Sequence, residues 1–265
     1  MYSRFQLAQK YMRYYLTASN GKGHGIHSPF VFDFVQHVLN DKTNYPAYQL
    51  IEAQRKKMLT DKSVIAVEDL GAGSSVIKTK ERAVADIAAS SLKPKKYAQL
   101  LYRLVQYYKP HHIVELGTSL GMTSAYLAAA HDKGHVFTCE GSAAIARVAR
   151  QNFQVLHLNN ITLTEGDFAQ TLDPLLEQLQ VVDLAFVDGN HREVPTLDYF
   201  QRILKRSTTS TILIFDDIHW SAEMESAWEA IKLHPQVTLS IDLFFIGIVL
   251  INPDFKIPQQ FSIRF

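Results

Sequence analysis

Apolar residues recur at helical spacing from Phe5 to Leu16, and this predicts a first helix over residues 3 to 16 that the Asn20-Gly21-Lys22-Gly23 stretch ends. Ser28-Pro29 reads as an N-cap followed by proline in the first turn and opens a helix to about Leu39; Pro46 opens another to about Leu59. A short apolar run, Val64 to Val67, leads into Gly71-Ala72-Gly73-Ser74, and two further helices are expected at about Thr79 to Ala89 and Pro94 to Tyr108. From His111 the rhythm changes. Short apolar runs alternate with helical stretches, as in parallel strands joined by crossover helices. The predicted strands are Ile113 to Leu116, Val136 to Cys139, Ile161 to Thr164, Leu184 to Val187 and Thr211 to Phe215. Helices at about Met122 to His131, Ala143 to Leu156, Phe168 to Leu179 and Pro195 to Lys205 join them, and another follows at Ala222 to Leu233. Val237 to Ile241 and Phe245 to Ile251 are too close for a crossover helix, so they should pair antiparallel.

This pattern divides the chain into a helical N-terminal extension, 1–110, and an α/β domain, 111–265. Composition supports a globular protein. Hydrophobic residues make up 47% of the 265 positions, which excludes intrinsic disorder, and no apolar run approaches the ~20 residues that span a bilayer. Cys139 is the only cysteine, so an internal disulfide and a cysteine-based zinc site are both excluded, and a reducing cytoplasm is the expected location. The 27 basic and 26 acidic side chains nearly cancel, which excludes a uniformly basic nucleic-acid coat. They are unevenly placed, with 17 basic against 8 acidic residues up to position 110 and the reverse bias beyond it. Such a split fits a basic substrate-facing region beside an acidic catalytic one, or two halves that dock.

The chemistry of an open parallel sheet sits at the carboxyl ends of its strands. The first strand ends in Glu115-Leu116-Gly117-Thr118-Ser119-Leu120-Gly121, where glycines allow a sharp turn and the following helix offers free amides to an anionic group. Glu140 closes the second strand 25 residues after Glu115, placed to accept hydrogen bonds from both ribose hydroxyls of an adenosine ligand. The glycines are four apart with no tight G-x-G, which argues against a pyrophosphate cofactor such as NAD.

Together with Gly166-Asp167, Val187-Asp188-Gly189-Asn190-His191 and Asp216-Asp217-Ile218-His219-Trp220, these motifs resemble the class I S-adenosylmethionine-dependent methyltransferases. The likeness is to the small-molecule O-methyltransferase branch of the catechol and caffeoyl-CoA type and its D-G-x-H relatives. It covers His111 to Ile251 and implies a three-layer, Rossmann-like, seven-stranded, mostly parallel sheet whose last strand is antiparallel. By the same resemblance, the Glu115-to-Gly121 loop with Gly117, Thr118 and Gly121 would hold the methionine portion of S-adenosylmethionine. Glu140 would hold the ribose and Asp167 the adenine amino group, unless Asp167 only caps the next helix. Metal-dependent members bind Mg2+ or another divalent cation, which here implies Asp188, Asp216 and Asp217, with Asp217 standing where asparagine is usual. The alternative is that Asp216 and Asp217 cap a helix or bind substrate without metal. Asp188 also borders the cofactor in this reading, and His191 is the candidate base for the acceptor hydroxyl, against a plain polar residue opening the next helix.

The implied activity is methyl transfer to the oxygen of a small-molecule acceptor. RNA methylation is the rival enzymatic reading, with no recognisable RNA-binding module to support it, and a nucleotide- or NAD-binding module without chemistry is the rival from another class. No membrane partner is expected, and oligomeric state is not legible. The Gly71 to Ser74 loop and Lys93 to Lys96 are expected to serve the acceptor side rather than the cofactor.

Overall fold

The computed structural model describes residues 1–23, 27–68 and 80–265. Helix α1 (Arg4–Thr17) is closed at its start by a reciprocal capping box between Ser3 and Gln6. Pro29 occupies the first turn of α2 (Pro29–Phe34), as expected, but Ser28 makes no side-chain cap bond: it is buried, and its carbonyl accepts the Phe32 N–H instead. The helix then widens into one π turn, Val35–Leu39, because both the backbone and the side-chain amide of Asn40 donate to the Val35 carbonyl. Helix α3 spans Pro46–Met58.

The next expectation needs correcting. A helix from Thr79 was predicted, yet residues 81–83 form a strand. β1 (Val64–Ala66) pairs antiparallel with β2 (Glu81–Ala83), and α4 (Val84–Ser91) begins only where that pairing stops. The ladder to β1 already satisfies the backbone groups that a longer helix would have used. The Gly71 to Ser74 loop lies outside the described residues. Helix α5 (Lys95–Tyr108) completes the N-terminal part.

The alternating region follows its pattern closely. Its elements are β3 (His112–Leu116), α6 (Met122–Ala129), β4 (His135–Glu140), α7 (Ala143–Val155), β5 (Ile161–Glu165) and α8 (Phe168–Leu179). They continue with β6 (Val182–Val187), α9 (Glu193–Leu204), β7 (Ser207–Asp216), α10 (Ala222–Lys232), β8 (Leu239–Asp242) and β9 (Ile246–Leu250). One further strand, β10 (Gln259–Ser262), lies beyond the expected seven and pairs parallel with β8.

The described residues form two compact units. In the first, 42–179, strands β3, β4 and β5 are parallel neighbours in that order. In the second, 1–41 with 180–265, the order is β10-β8-β9-β7-β6, parallel at β6/β7 and antiparallel on both sides of β9. Ile113 to Leu116, Leu184 to Val187 and Ile246 to Leu250 are buried at every position, so both faces of these strands are covered and the architecture is a mostly parallel α/β sheet with helical layers. Among the described residues, no helix is long and apolar enough to cross a membrane.

Candidate active site

In the 42–179 unit the turn after β3 is strongly shaped. Gly117, Ser119 and Gly121 have φ of 105°, 48° and 79°, so three of five successive residues adopt left-handed backbone. A Cβ on Gly121 would lie 2.5 Å from the Phe153 ring of α7, so the position admits only glycine on steric grounds as well. Two bonds pin the turn to the end of β4: the N–H groups of Gly117 and Thr118 both donate to the Cys139 carbonyl, at 3.0 and 3.2 Å. From behind, the buried Asn152 of α7 donates its amide to the Leu120 carbonyl at 2.8 Å and accepts from Gln54 of α3 at 2.8 Å.

Glu115 is fully buried beneath this turn. Its Oε2 accepts the hydroxyls of Ser124 and Thr138, and Thr138 in turn meets the Thr118 hydroxyl at 2.6 Å. Burial pushes the Glu115 carboxyl up to about 7, Glu140 adds to the shift, and the two hydroxyls oppose it. Its Oε1 has no hydrogen-bond partner among the described residues. Burial likewise raises the Cys139 thiol to about 11, which leaves it an inert core residue.

Two backbone amides hold Glu140: Oε2 accepts from Ser119 N–H at 2.9 Å and Oε1 from Ser142 N–H at 3.0 Å. Asp167 follows Gly166, whose φ is 131°, and its Oδ1 accepts from Ala169 N–H at 3.0 Å in the first turn of α8. Glu115, Gly117, Thr118, Gly121 and Glu140 are thus joined by short hydrogen bonds at the ends of β3 and β4. The contributions of Ser124, Thr138 and Asn152 had no sequence signal, since each reaches its partner only through the packing of helix on strand.

In the other unit, Asp188 directly follows β6, and Asn190 and His191 both have positive φ, 67° and 29°. The turn brings His191 Nε2 to 3.5 Å from Asp188 Oδ1. Asp216, buried at the end of β7, joins them: one potential ligand atom from each of Asp188, His191 and Asp216 lies within 4.8 Å of the others. Asp217 is not part of that group; its φ is 52°, and its carbonyl closes the turn by accepting Trp220 N–H. Trp220 places its ring 5.7 Å from that of His191. The donor set, two carboxylates and an imidazole, suits a divalent transition metal better than Mg2+, which prefers oxygen ligands alone.

Residues 114–218 match the sequence model of a family described as a methyltransferase domain. Among solved structures, an O-methyltransferase from Bacillus cereus in complex with SAH is 22% identical, with 83% of this chain and 97% of that one covered and a TM-score of 0.55. The SAH-bound methyltransferase PaMTH1 from Podospora anserina is 15% identical, with 85% and 97% covered and a TM-score of 0.59. The O-methyltransferase TomG from Streptomyces achromogenes, in complex with SAM, is 21% identical, with 62% and 82% covered and a TM-score of 0.53. At these identities the likeness establishes a shared fold. No curated protein matches the chain.

Proposed function

We propose that this protein transfers a methyl group from S-adenosylmethionine to a hydroxyl oxygen of a small-molecule acceptor. The observation that carries the reading is the coupling of the left-handed Gly117-to-Gly121 turn to Glu140 through the Ser119 N–H. A carboxylate only accepts hydrogen bonds, which suits Glu140, at the end of β4, to the two hydroxyls of a ribose. Gly117 and Thr118, with no bulky side chain over the turn, would seat the methionine portion, and Asp167 the adenine amino group. Glu115 supports the turn from below through the Ser124 and Thr138 hydroxyls. The bound cofactor supplies an activated methyl group on a sulfonium.

On the acceptor side, His191 would take the hydroxyl proton at Nε2 or Nδ1 while Asp188 fixes the ring. Alignment of oxygen, methyl carbon and sulfur accounts for much of the acceleration. Asp188, His191 and Asp216 are also the residues that would hold a divalent ion, whose contribution would be to lower the acceptor hydroxyl's pKa.

The test is a thermal-shift panel of S-adenosylmethionine, S-adenosylhomocysteine and NAD, with and without a divalent salt. Only ligands of the native state raise the midpoint. Stabilisation by S-adenosylhomocysteine and not by NAD is expected; the reverse would overturn the reading.

A further inference from the structure

The turn that follows β7, residues 216–220, carries Asp216 at one end and Trp220 at the other. Its middle is gripped from outside the catalytic cluster. His219 points both ring nitrogens at carboxylates, with Nε2 2.8 Å from Asp242 Oδ2 on β8 and Nδ1 3.0 Å from Glu225 Oε1 on α10. Carboxylates only accept, so both nitrogens must donate and the ring is an imidazolium. It stacks on Phe244, with centroids 5.1 Å apart, and the Phe244 N–H orients Asp242 in turn.

The outer half of this arrangement belongs to the N-terminal helix. Glu225 receives three groups from the first ten residues and the turn: the Tyr2 hydroxyl at 2.7 Å, Lys10 Nζ at 2.9 Å, and His219 itself. Tyr2 also donates its backbone N–H to the Trp220 carbonyl at 3.0 Å. The inner face of α1 closes over the same aromatic platform, where the Tyr11 ring meets Phe244 edge-on at 5.0 Å. The cluster therefore alternates in sign, Lys10, Glu225, His219, Asp242, and Lys10 is a second cation on Glu225 beside the imidazolium and the Tyr2 hydroxyl. Removing Lys10 leaves Glu225 and Asp242 with the imidazolium as their shared cation, which loosens the hold of Glu225 on the turn.

We infer that α1 is a working part of the acceptor side, with Lys10 and Tyr2 as positioning residues that act through Glu225 and His219 to set the turn bearing Asp216 and Trp220. This rests on the proposal that Asp188, His191 and Asp216 serve the acceptor. Neither Lys10 nor Tyr2 touches that cluster, so their effect should fall on acceptor use and spare the cofactor.

The experiment compares Lys10→Met, Lys10→Arg and Tyr2→Phe in the full chain. Trp220 and the fully buried Trp228 are the only tryptophans, so acrylamide quenching reports the environment of Trp220. In Lys10→Met, quenching should rise by about twofold or more while the dissociation constant for S-adenosylhomocysteine stays within about twofold, as expected for loss of one charged hydrogen bond that no proposed cofactor residue makes. Lys10→Arg should restore the wild-type value. Against a panel of simple phenols, Lys10→Met should raise acceptor KM by roughly three- to tenfold and leave the S-adenosylmethionine KM unchanged. Wild-type quenching in Lys10→Met, with only a lower melting temperature, would overturn the inference. A wild-type protein that binds the cofactor but methylates no phenol would count against the acceptor chemistry, while the quenching comparison would still decide whether α1 sets the turn.

Discussion

The Ser119 backbone N–H lies 2.9 Å from Glu140 Oε2, so the turn that follows β3 and the acid that ends β4 share one geometry. On the proposed function a single side chain serves two purposes, orienting the turn and presenting a carboxylate to the cofactor. Glu140→Ala removes both. S-adenosylhomocysteine binding, measured by calorimetry, should weaken by ~1.5 to 3 kcal/mol, the usual loss for a charge-assisted hydrogen bond. Glu140→Gln should also bind poorly, because one of its two atoms becomes a donor facing a backbone N–H. Unchanged affinity in both would remove Glu140 from the ligand site.

Gly121 offers a sharper steric test. Its φ of 79° disfavours any side chain, and a Cβ would meet Phe153 at 2.5 Å. Gly121→Ala should cost roughly 2 to 4 kcal/mol of stability from backbone strain and overpacking together. Adding Phe153→Leu should recover only the packing part, so the double variant should lie between the single variant and wild type in urea unfolding. Full recovery would mean that backbone strain is negligible there.

Glu115 predicts a pH dependence with a definite sign. Its folded-state value is about 7 against 4.5 for an ordinary carboxyl, so between these values the folded protein holds a proton that the unfolded chain has released. The stability this group contributes is complete below about pH 4.5 and is lost as pH rises through 7, by an amount on the order of 3 kcal/mol. Glu115→Gln keeps an acceptor for Ser124 and Thr138 but cannot ionise. Chemical denaturation from pH 4.5 to 8 should show a flatter profile in that variant than in wild type; parallel profiles would contradict the assignment.

His191 separates two routes at the acceptor. As an unassisted base, its replacement by alanine should abolish methyl transfer in chelator and in metal alike. As one ligand of a divalent ion, His191→Ala should weaken metal binding, and chelation of wild type should stop transfer while leaving S-adenosylhomocysteine binding intact. Calorimetric titration with Mn2+ and Mg2+ distinguishes them, and undiminished activity of His191→Ala in both buffers would dismiss both roles.

The alternating α/β order, the approximate helix boundaries from Met122 onward and the antiparallel pairing of β8 with β9 are legible in the sequence, because burial of both sheet faces imposes apolar runs and crossover helices impose a fixed rhythm. The candidate cofactor residues could be named as well, since Gly117, Gly121 and Glu140 occupy strand ends that local pattern defines. Other features depend on partners distant in sequence. Residues 81–83 form a strand only because β1 is available to pair, and the π turn at Val35–Leu39 exists because Asn40 reaches back to Val35. Asp216 and Asp217 are neighbours in the chain, yet the left-handed backbone at Asp217 leaves Asp216 with Asp188 and His191 and carries Asp217 into the turn. The bonds from Lys10 to Glu225 and from His219 to Asp242 cross 215 and 23 residues. Periodicity reports which face of an element is buried, but the identity of the group across a packed interface is decided only when the chain folds back on itself.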